Sequence, residues 1–227
     1  DPREDLLELA PRAGEELIRE EDLEAVLDRC GEQIALVLWP GVQYLTGQAF
    51  DLARIARAAH AAGALVGFDL AHSVGNMPFP LRDSSADFAV WCSYKYLNAG
   101  PGALGGCFVH RRHFHAARPR LAGWWGHELT SRFDMPRDFR AAAGAAGFQL
   151  SNQSILAAAP LVASLALFQE AGVQRLREKS VALSAFFEQL SAQRTPQVRV
   201  ITPREHDARG AQLSLRVSRD PARARRV

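Results

Sequence analysis

Apolar positions recur every three or four residues in two early stretches of the chain and run together in four others, and the two patterns alternate. Leu23, Val26 and Leu27 in EDLEAVLDRC (21 to 30) mark a short amphipathic helix, and QIALVLW (33 to 39) is an apolar run of strand length. Asp51 is placed to cap a second helix, in which Leu52, Ile55, Ala56 and Ala59 share a face and which Gly63 ends. ALVGFD (64 to 69), DFAVWC (87 to 92) and ALGGCFVH (103 to 110) supply three more strands. Apolar strands separated by helices or long crossovers predict an α/β domain with a largely parallel sheet covered on both faces. Ligands of such sheets sit at the carboxyl ends of the strands, which directs attention to PGVQYLTGQ, DLAHSVGN and SYKYLNAGPG.

From Ser151 the pattern changes to long helices, SNQSILAAAPLVASLALFQEAG and then VQRLREKSVALSAFFEQLSAQ. Ser151 reads as the cap, Pro160 as a kink and Gly172 as the stop between them. A further helix is expected to end near Leu121. After Pro196 the text turns short and β-like (VRVIT, AQLSLRV), so a second, smaller α+β domain is expected to start near 195.

The 227 residues are 48% hydrophobic and 23% charged, an ordinary globular balance, and the net charge of +2 provides no field that would favour nucleic acid or membrane. The arginines of the tail (Arg216, Arg219, Arg223, Arg225, Arg226) have no interleaved aromatics for base stacking, so no nucleic-acid partner is expected. Cys30, Cys92 and Cys107 form neither a disulfide framework nor a zinc spacing, which favours a reducing, cytoplasmic setting. No apolar run reaches membrane-spanning length, and the first residues, DPREDLLELAPR, lack the pattern of a signal peptide. The chain starts without methionine and ends in PARARRV, and is read as a piece of something longer.

The chemistry concentrates around Lys95, which has no charged neighbour between Phe88 and Val109. Asp69 closes an apolar run 26 residues earlier, where an ionised carboxylate needs a partner. On neighbouring strands the two would face one crevice. That is the pair pyridoxal phosphate requires: a lysine for the Schiff base and a carboxylate that keeps the pyridine nitrogen protonated. A turn-capping Asp69 and a surface Lys95 explain the spacing equally well. His72 could lie against a bound ring or serve structure alone, and Tyr94 could donate a proton or simply pack. GWWGHELTSRF (123 to 133) sets Trp124 and His127 in an aromatic loop, a binding surface or a piece of core. Asn152 reads first as a helix-start residue. No Walker or dinucleotide fingerprint is present.

Taken together, LVLWPGVQYLTGQ, FDLAHSVGN, WCSYKYLNAGPGALGG, GWWGHELTSRFDM and GFQLSNQSIL resemble the kynureninase family of pyridoxal-phosphate enzymes, in one order and at consistent distances from about residue 36 to 190. The resemblance implies the aspartate aminotransferase fold, that is, the large α/β domain of a fold-type I enzyme and the start of a small α+β domain. Its division would be 1–165 for part of the large domain, 166–195 for a connecting helix and 196–227 for the truncated small domain. It implies pyridoxal 5'-phosphate as cofactor, with Lys95 as the Schiff-base lysine, Asp69 on the pyridine nitrogen and His72 as a further contact. Tyr94 would touch the phosphate and supply a proton, Trp124 would contact the phosphate, and Asn152 and, with less support, His127 would lie at the substrate. Pro40, which offers only its carbonyl, stands where relatives often carry Ser or Thr.

The implied reaction is hydrolysis of L-kynurenine, and of its 3-hydroxy form, to anthranilate or 3-hydroxyanthranilate and L-alanine, by a homodimer in tryptophan catabolism. Two alternatives are a cysteine desulfurase-like lyase, which needs a reactive cysteine in a mobile loop, and an inactive remnant of the same fold.

Overall fold

The computed structural model describes residues 5–114, 119–195 and 197–217. Helix α1 (Glu20–Cys30) leads through a 3-10 turn (Gly31–Gln33) to strand β1 (Leu36–Pro40). That turn, closed by Ile34 N–H on the Gly31 carbonyl, takes up the first residues of the apolar run, so the strand begins later than the pattern alone places it. Helix α2 (Leu52–Ala61) starts on Asp51, whose carboxylate accepts the Arg54 N–H at 3.0 Å. Arg54 then donates to both oxygens of Glu24 at 2.7 Å, tying α2 to α1.

Strands β2 (Leu65–Asp69), β3 (Phe88–Cys92) and β4 (Gly105–Val109) complete one sheet in the order β1-β2-β3-β4. The first three strands are parallel, and β4 runs antiparallel to β3 because the loop at 93–104 carries no crossover helix. Val37, Trp39, Val66, Phe68 and Ala89 pack with Leu23, Leu27, Ile55, Ala56 and Ala59 into the core beneath α1 and α2. Full burial of one such side chain stabilises the fold by roughly 1.5–3 kcal/mol. Coverage of both sheet faces is expected from the apolar strands, and among the described residues α1 and α2 cover one of them. On the other, Leu36, Leu38 and Val90 are exposed, and Phe148 reaches only the β3–β4 side.

Helices α3 (Ile155–Ala171) and α4 (Val173–Arg194) follow. The cap of α3 is Ser154, which accepts the Ala157 N–H, and not Ser151, because the backbone becomes helical only at Ile155. Pro160 sits inside α3 without ending it. The break comes at Gly172, whose φ of +79° carries the chain round a bend of 82° between the two axes. Of the stretch in which a helix is expected to end near Leu121, the described residues show a 3-10 turn (Arg111–His113) and irregular chain at 119–121, and 115–118 lie outside them. Among the described residues no single helix is long and apolar enough to cross a membrane.

Strands β5 (Val198–Val200) and β6 (Leu215–Val217) form a separate antiparallel pair. The chain between them docks on the loop after β1, through Ala49 N–H to Ala208 O at 2.9 Å and Gly210 N–H to Gly47 O at 3.1 Å. Pro196 and the tail arginines Arg219 to Arg226 lie outside the described residues, and Arg216 pairs with Glu16.

Candidate active site

Because β1, β2 and β3 are parallel, their carboxyl ends meet at one edge, with Pro40 opposite Asp69 and Asp69 opposite Val90. The Asp69 carboxylate is exposed there, and one oxygen accepts the Ala71 N–H at 2.8 Å, which starts a coil of turns through Met77. That coil carries His72 toward the loop after β3. In the loop, Ala99 N–H to Ser93 O and Asn98 N–H to Lys95 O, both at 3.0 Å, close a tight turn that directs Lys95 back. The Lys95 Nζ lies 2.9 Å from His72 Nε2. The two loops touch at Gly75, where φ is +85° and a Cβ would stand 2.7 Å from the Tyr96 carbonyl oxygen. Only glycine permits that approach.

Burial, and then the charge of Lys95, push the His72 imidazole below its ordinary pKa, and Asp69 opposes them only in part. A neutral ring accepts one of the ammonium hydrogens of Lys95 at Nε2. Tyr44 and Tyr96 flank the imidazole, with ring centroids 6.4 and 6.1 Å away. Lys95 Nζ lies 5.9 Å from the centroid of the exposed Tyr94 ring, whose phenol is pushed up by its hydrogen bond to, and the charge of, Cys92. An open cleft of about 610 Å³ is lined by His72, Lys95, Tyr96 and Asn98, with Phe168 of α3 and Leu176 of α4 closing it. Ser164 of α3 donates to the Leu97 carbonyl and fixes that wall.

Asp69, His72, Tyr94 and Lys95 are thus brought together within the chain, and among the described residues the other three candidates form no hydrogen bond or ring contact with them. Trp124 is partly exposed, with its indole N–H on the Arg132 carbonyl and Phe133 against its ring. His127 is buried: Nε2 bonds Ser131 Oγ at 3.0 Å and Nδ1 accepts the Arg140 N–H at 3.2 Å, so both nitrogens serve their own loop. Asn152 is exposed just ahead of α3. Tyr44, Tyr96, Phe168, Leu176 and Gln212 were not singled out in the sequence. The first two lie in stretches that strand-end logic does mark, whereas the helix and C-terminal residues reach the site only through tertiary docking.

An amine, an exposed carboxylate at the end of the adjoining strand and a cleft walled by aromatic rings form the donor set that an aldehyde cofactor with a basic ring nitrogen needs, so the residues present fit pyridoxal phosphate. The sheet is that of the fold-type I pyridoxal-phosphate enzymes. The chain belongs to the aminotransferase class-V family, a pyridoxal-phosphate-dependent family whose model matches residues 7–221.

It is 56% identical over 219 residues to a kynureninase of Xanthomonas campestris pv. campestris, covering 96% of this chain and 52% of that one. It is 61% identical over 196 residues to a kynureninase of Xanthomonas euvesicatoria pv. vesicatoria, covering 86% and 46%. The chain therefore spans about half the length of the curated relatives it matches. Among solved structures, the apo cysteine desulfurase of Thermococcus onnurineus NA1 aligns with a TM-score of 0.73 at 19% identity, over 94% of this chain and 50% of that one. A C-DES mutant with glycine covalently linked to its PLP cofactor aligns at 0.70 and 21% identity, over 88% and 52%. These two likenesses show the fold alone.

Proposed function

We propose that this chain carries the cofactor-lysine half of a kynureninase, which hydrolyses L-kynurenine to anthranilate and L-alanine and acts likewise on the 3-hydroxy compound. The observation that carries the cofactor role is the meeting of Lys95 and His72 at 2.9 Å beside Asp69. The choice of kynurenine rests on the 56–61% identity to curated kynureninases. A desulfurase reading gains no support from the cysteines. Cys92 and Cys107 sit in β3 and β4 and Cys30 ends α1, so none is carried on a mobile loop.

In this reading Lys95 anchors the cofactor through its amine and, once released, takes the α-proton of the substrate. His72 Nε2 orients that amine. Asp69 holds a proton on the cofactor's ring nitrogen, and bound pyridoxal phosphate supplies an electron sink for charge at the substrate's α-carbon. Water adds to the side-chain ketone, the Cβ–Cγ bond breaks, and the alanine fragment takes up a proton. Tyr94, whose ring centroid lies 5.9 Å from Lys95 Nζ and whose phenol is protonated at neutral pH, would give it. Tyr94 would also touch the phosphate.

Trp124 and Asn152, both exposed, would reach the phosphate and substrate of a second protomer's site in a homodimer. His127, with both nitrogens engaged, would bear on substrate by ordering the loop that carries Trp124. The unpartnered apolar side chains of α3 and of the bare sheet face would be covered by the remaining half of the polypeptide and the partner subunit. Residues 1–165 would belong to the large domain, 166–195 to the connecting helix and 196–227 to the small domain, in a cytoplasmic enzyme of tryptophan catabolism that feeds NAD biosynthesis.

The test is full-length protein loaded with pyridoxal phosphate. Anthranilate fluorescence from L-kynurenine, lost in Lys95→Ala, supports the proposal. Sulfur release from L-cysteine with no anthranilate overturns it, and a chain with no visible cofactor band is an inactive remnant.

A further inference from the structure

The proton on the His72 imidazole has a determinate place. Lys95 donates to Nε2, so in the neutral ring the hydrogen sits on Nδ1. That nitrogen is buried and makes no hydrogen bond, and a buried N–H left unpaired carries its full desolvation cost in a folded chain. The side chain that geometry brings nearest as an acceptor is Gln212, from the segment between β5 and β6: Asn76 bonds both the His72 carbonyl and the Ala211 N–H, and Gln212 itself bonds the carbonyl of Tyr44, whose ring flanks the imidazole. Which end of the amide faces the ring follows from its other bonds. Gln212 Nε2 donates to the Tyr44 carbonyl at 2.6 Å, more weakly to the Leu45 carbonyl at 3.4 Å, and lies 3.0 Å from Ser214 Oγ. With the NH2 end committed to the loop after β1, the oxygen is the end left for the imidazole.

We infer that Gln212 is a positioning residue: its amide oxygen receives the Nδ1–H of His72 and fixes the tautomer whose Nε2 holds Lys95. This rests on the reading of Lys95 as the cofactor lysine, and it makes docking of the C-terminal segment a condition for orienting that amine. The groups facing the imidazole are Lys95 from the loop after β3, Asp69 from the end of β2, the two rings Tyr44 and Tyr96, and Gln212. Of these, Gln212 is the amide whose NH2 end is already engaged and whose oxygen is left to accept, and its segment is fastened independently by Asn76 Oδ1, which accepts the Ala211 N–H at 2.7 Å.

The experiment is nitrogen-15 NMR of histidine-labelled full-length protein without cofactor, with the His72 signal assigned by its loss in His72→Gln. Wild type should show the Nδ1–H tautomer. Gln212→Met, which keeps the length and removes the acceptor, should lose that preference and titrate lower. Gln212→Glu, which keeps an acceptor and adds a charge, should retain the tautomer and titrate higher by roughly one unit or more. Ser214→Ala, which removes one partner of the Gln212 NH2 and one bond to the Leu45 carbonyl but leaves the amide oxygen, should leave the tautomer in place.

An unchanged tautomer and titration in Gln212→Met overturns the inference. If that variant fails to fold, an unchanged titration in Gln212→Glu does so. Should the tautomer respond as stated while Lys95→Ala still forms the cofactor's visible band, the reading of Lys95 fails and the role of Gln212 toward His72 stands.

Discussion

Lys95 and His72 meet at 2.9 Å from loops that follow two different strands, and the amine's partner is a nitrogen, not a carboxylate. A neutral imidazole orients the amine without the Coulomb attraction that a paired carboxylate would add. Asp69, which could have formed that ion pair, is left exposed at the strand end with one oxygen on the Ala71 N–H.

Replacing Lys95 by Ala removes anchor and base together. On the proposed function, kcat for kynurenine cleavage by the full-length protein should fall by about 10⁴, with the visible cofactor band abolished. His72→Leu removes only the acceptor. A lost hydrogen bond to a charged group is worth about 1.5–3 kcal/mol, so cofactor affinity should weaken roughly tenfold to a hundredfold by equilibrium titration. The sign of the pH effect follows from the lowered His72 pKa: the ring stays neutral at and somewhat below the ordinary histidine range, and the contact is lost as pH falls further. Wild-type cofactor affinity should therefore show an acid limb that His72→Leu lacks.

Much of this geometry was legible in the chain. Strand-end logic located Asp69 and Lys95, because apolar runs ending in a polar residue follow directly from a buried parallel sheet. The run at 103–110 gave no sign that β4 would turn antiparallel, since periodicity carries no direction. One-sided coverage of the sheet was hidden for a related reason: Leu36 and Leu38 have the pattern of buried residues whether or not a helix covers them. Trp124 and His127 read as a binding surface or a piece of core from their aromatic loop, and the hydrogen bonds that hold that loop together leave no mark on the local pattern. Gln212 sits 140 positions from His72 and carries no local signal.

Gly75 gives a test of how closely the two site loops must pack. Gly75→Ala combines a left-handed φ with a Cβ placed 2.7 Å from a backbone oxygen that has no flexible side chain to move. It should cost about 1–3 kcal/mol for the conformation alone, and more for the contact. Gly63→Ala has a similar φ of +82° and open space around it, so only the conformational part applies. Thermal unfolding of the two variants should rank Gly75→Ala lower, and only that variant should also weaken cofactor binding.

At the opposite end of β3, the buried Asp87 carboxylate accepts from Val66 N–H at 2.8 Å, His60 Nε2 at 2.9 Å and Arg112 Nε at 2.9 Å, with His113 beside them. Burial alone would raise its pKa, but these donors hold it well below the usual carboxylate range. A lowered carboxylate pKa stabilises the fold above the unfolded value, near 3.9, and that contribution is lost as pH falls below it. Asp87→Asn should cost roughly 3 kcal/mol at neutral pH by denaturant unfolding. The deficit should shrink at pH 3, where wild type has begun to lose the same interaction.

Arg209 links the C-terminal segment to α4 and, through it, to the lysine. Its guanidinium is fully buried and donates to both Glu188 oxygens at 2.8 and 2.9 Å and to the Pro203 carbonyl at 3.2 Å. Arg209→Met strands Glu188 without its partner and should destabilise the segment by about 3–5 kcal/mol, whereas adding Glu188→Leu should recover much of that. Because Ala208, Gly210 and Ala211 bond the β1 loop and Asn76 beside the site, a loosened segment carries Gln212 away from His72. Limited proteolysis should then cut between residues 201 and 214 in Arg209→Met and spare the double variant. The acid limb of cofactor binding should shift in the single variant as it does in Gln212→Met. Cleavage without that shift would mean that the segment's docking and the orientation of Lys95 are independent.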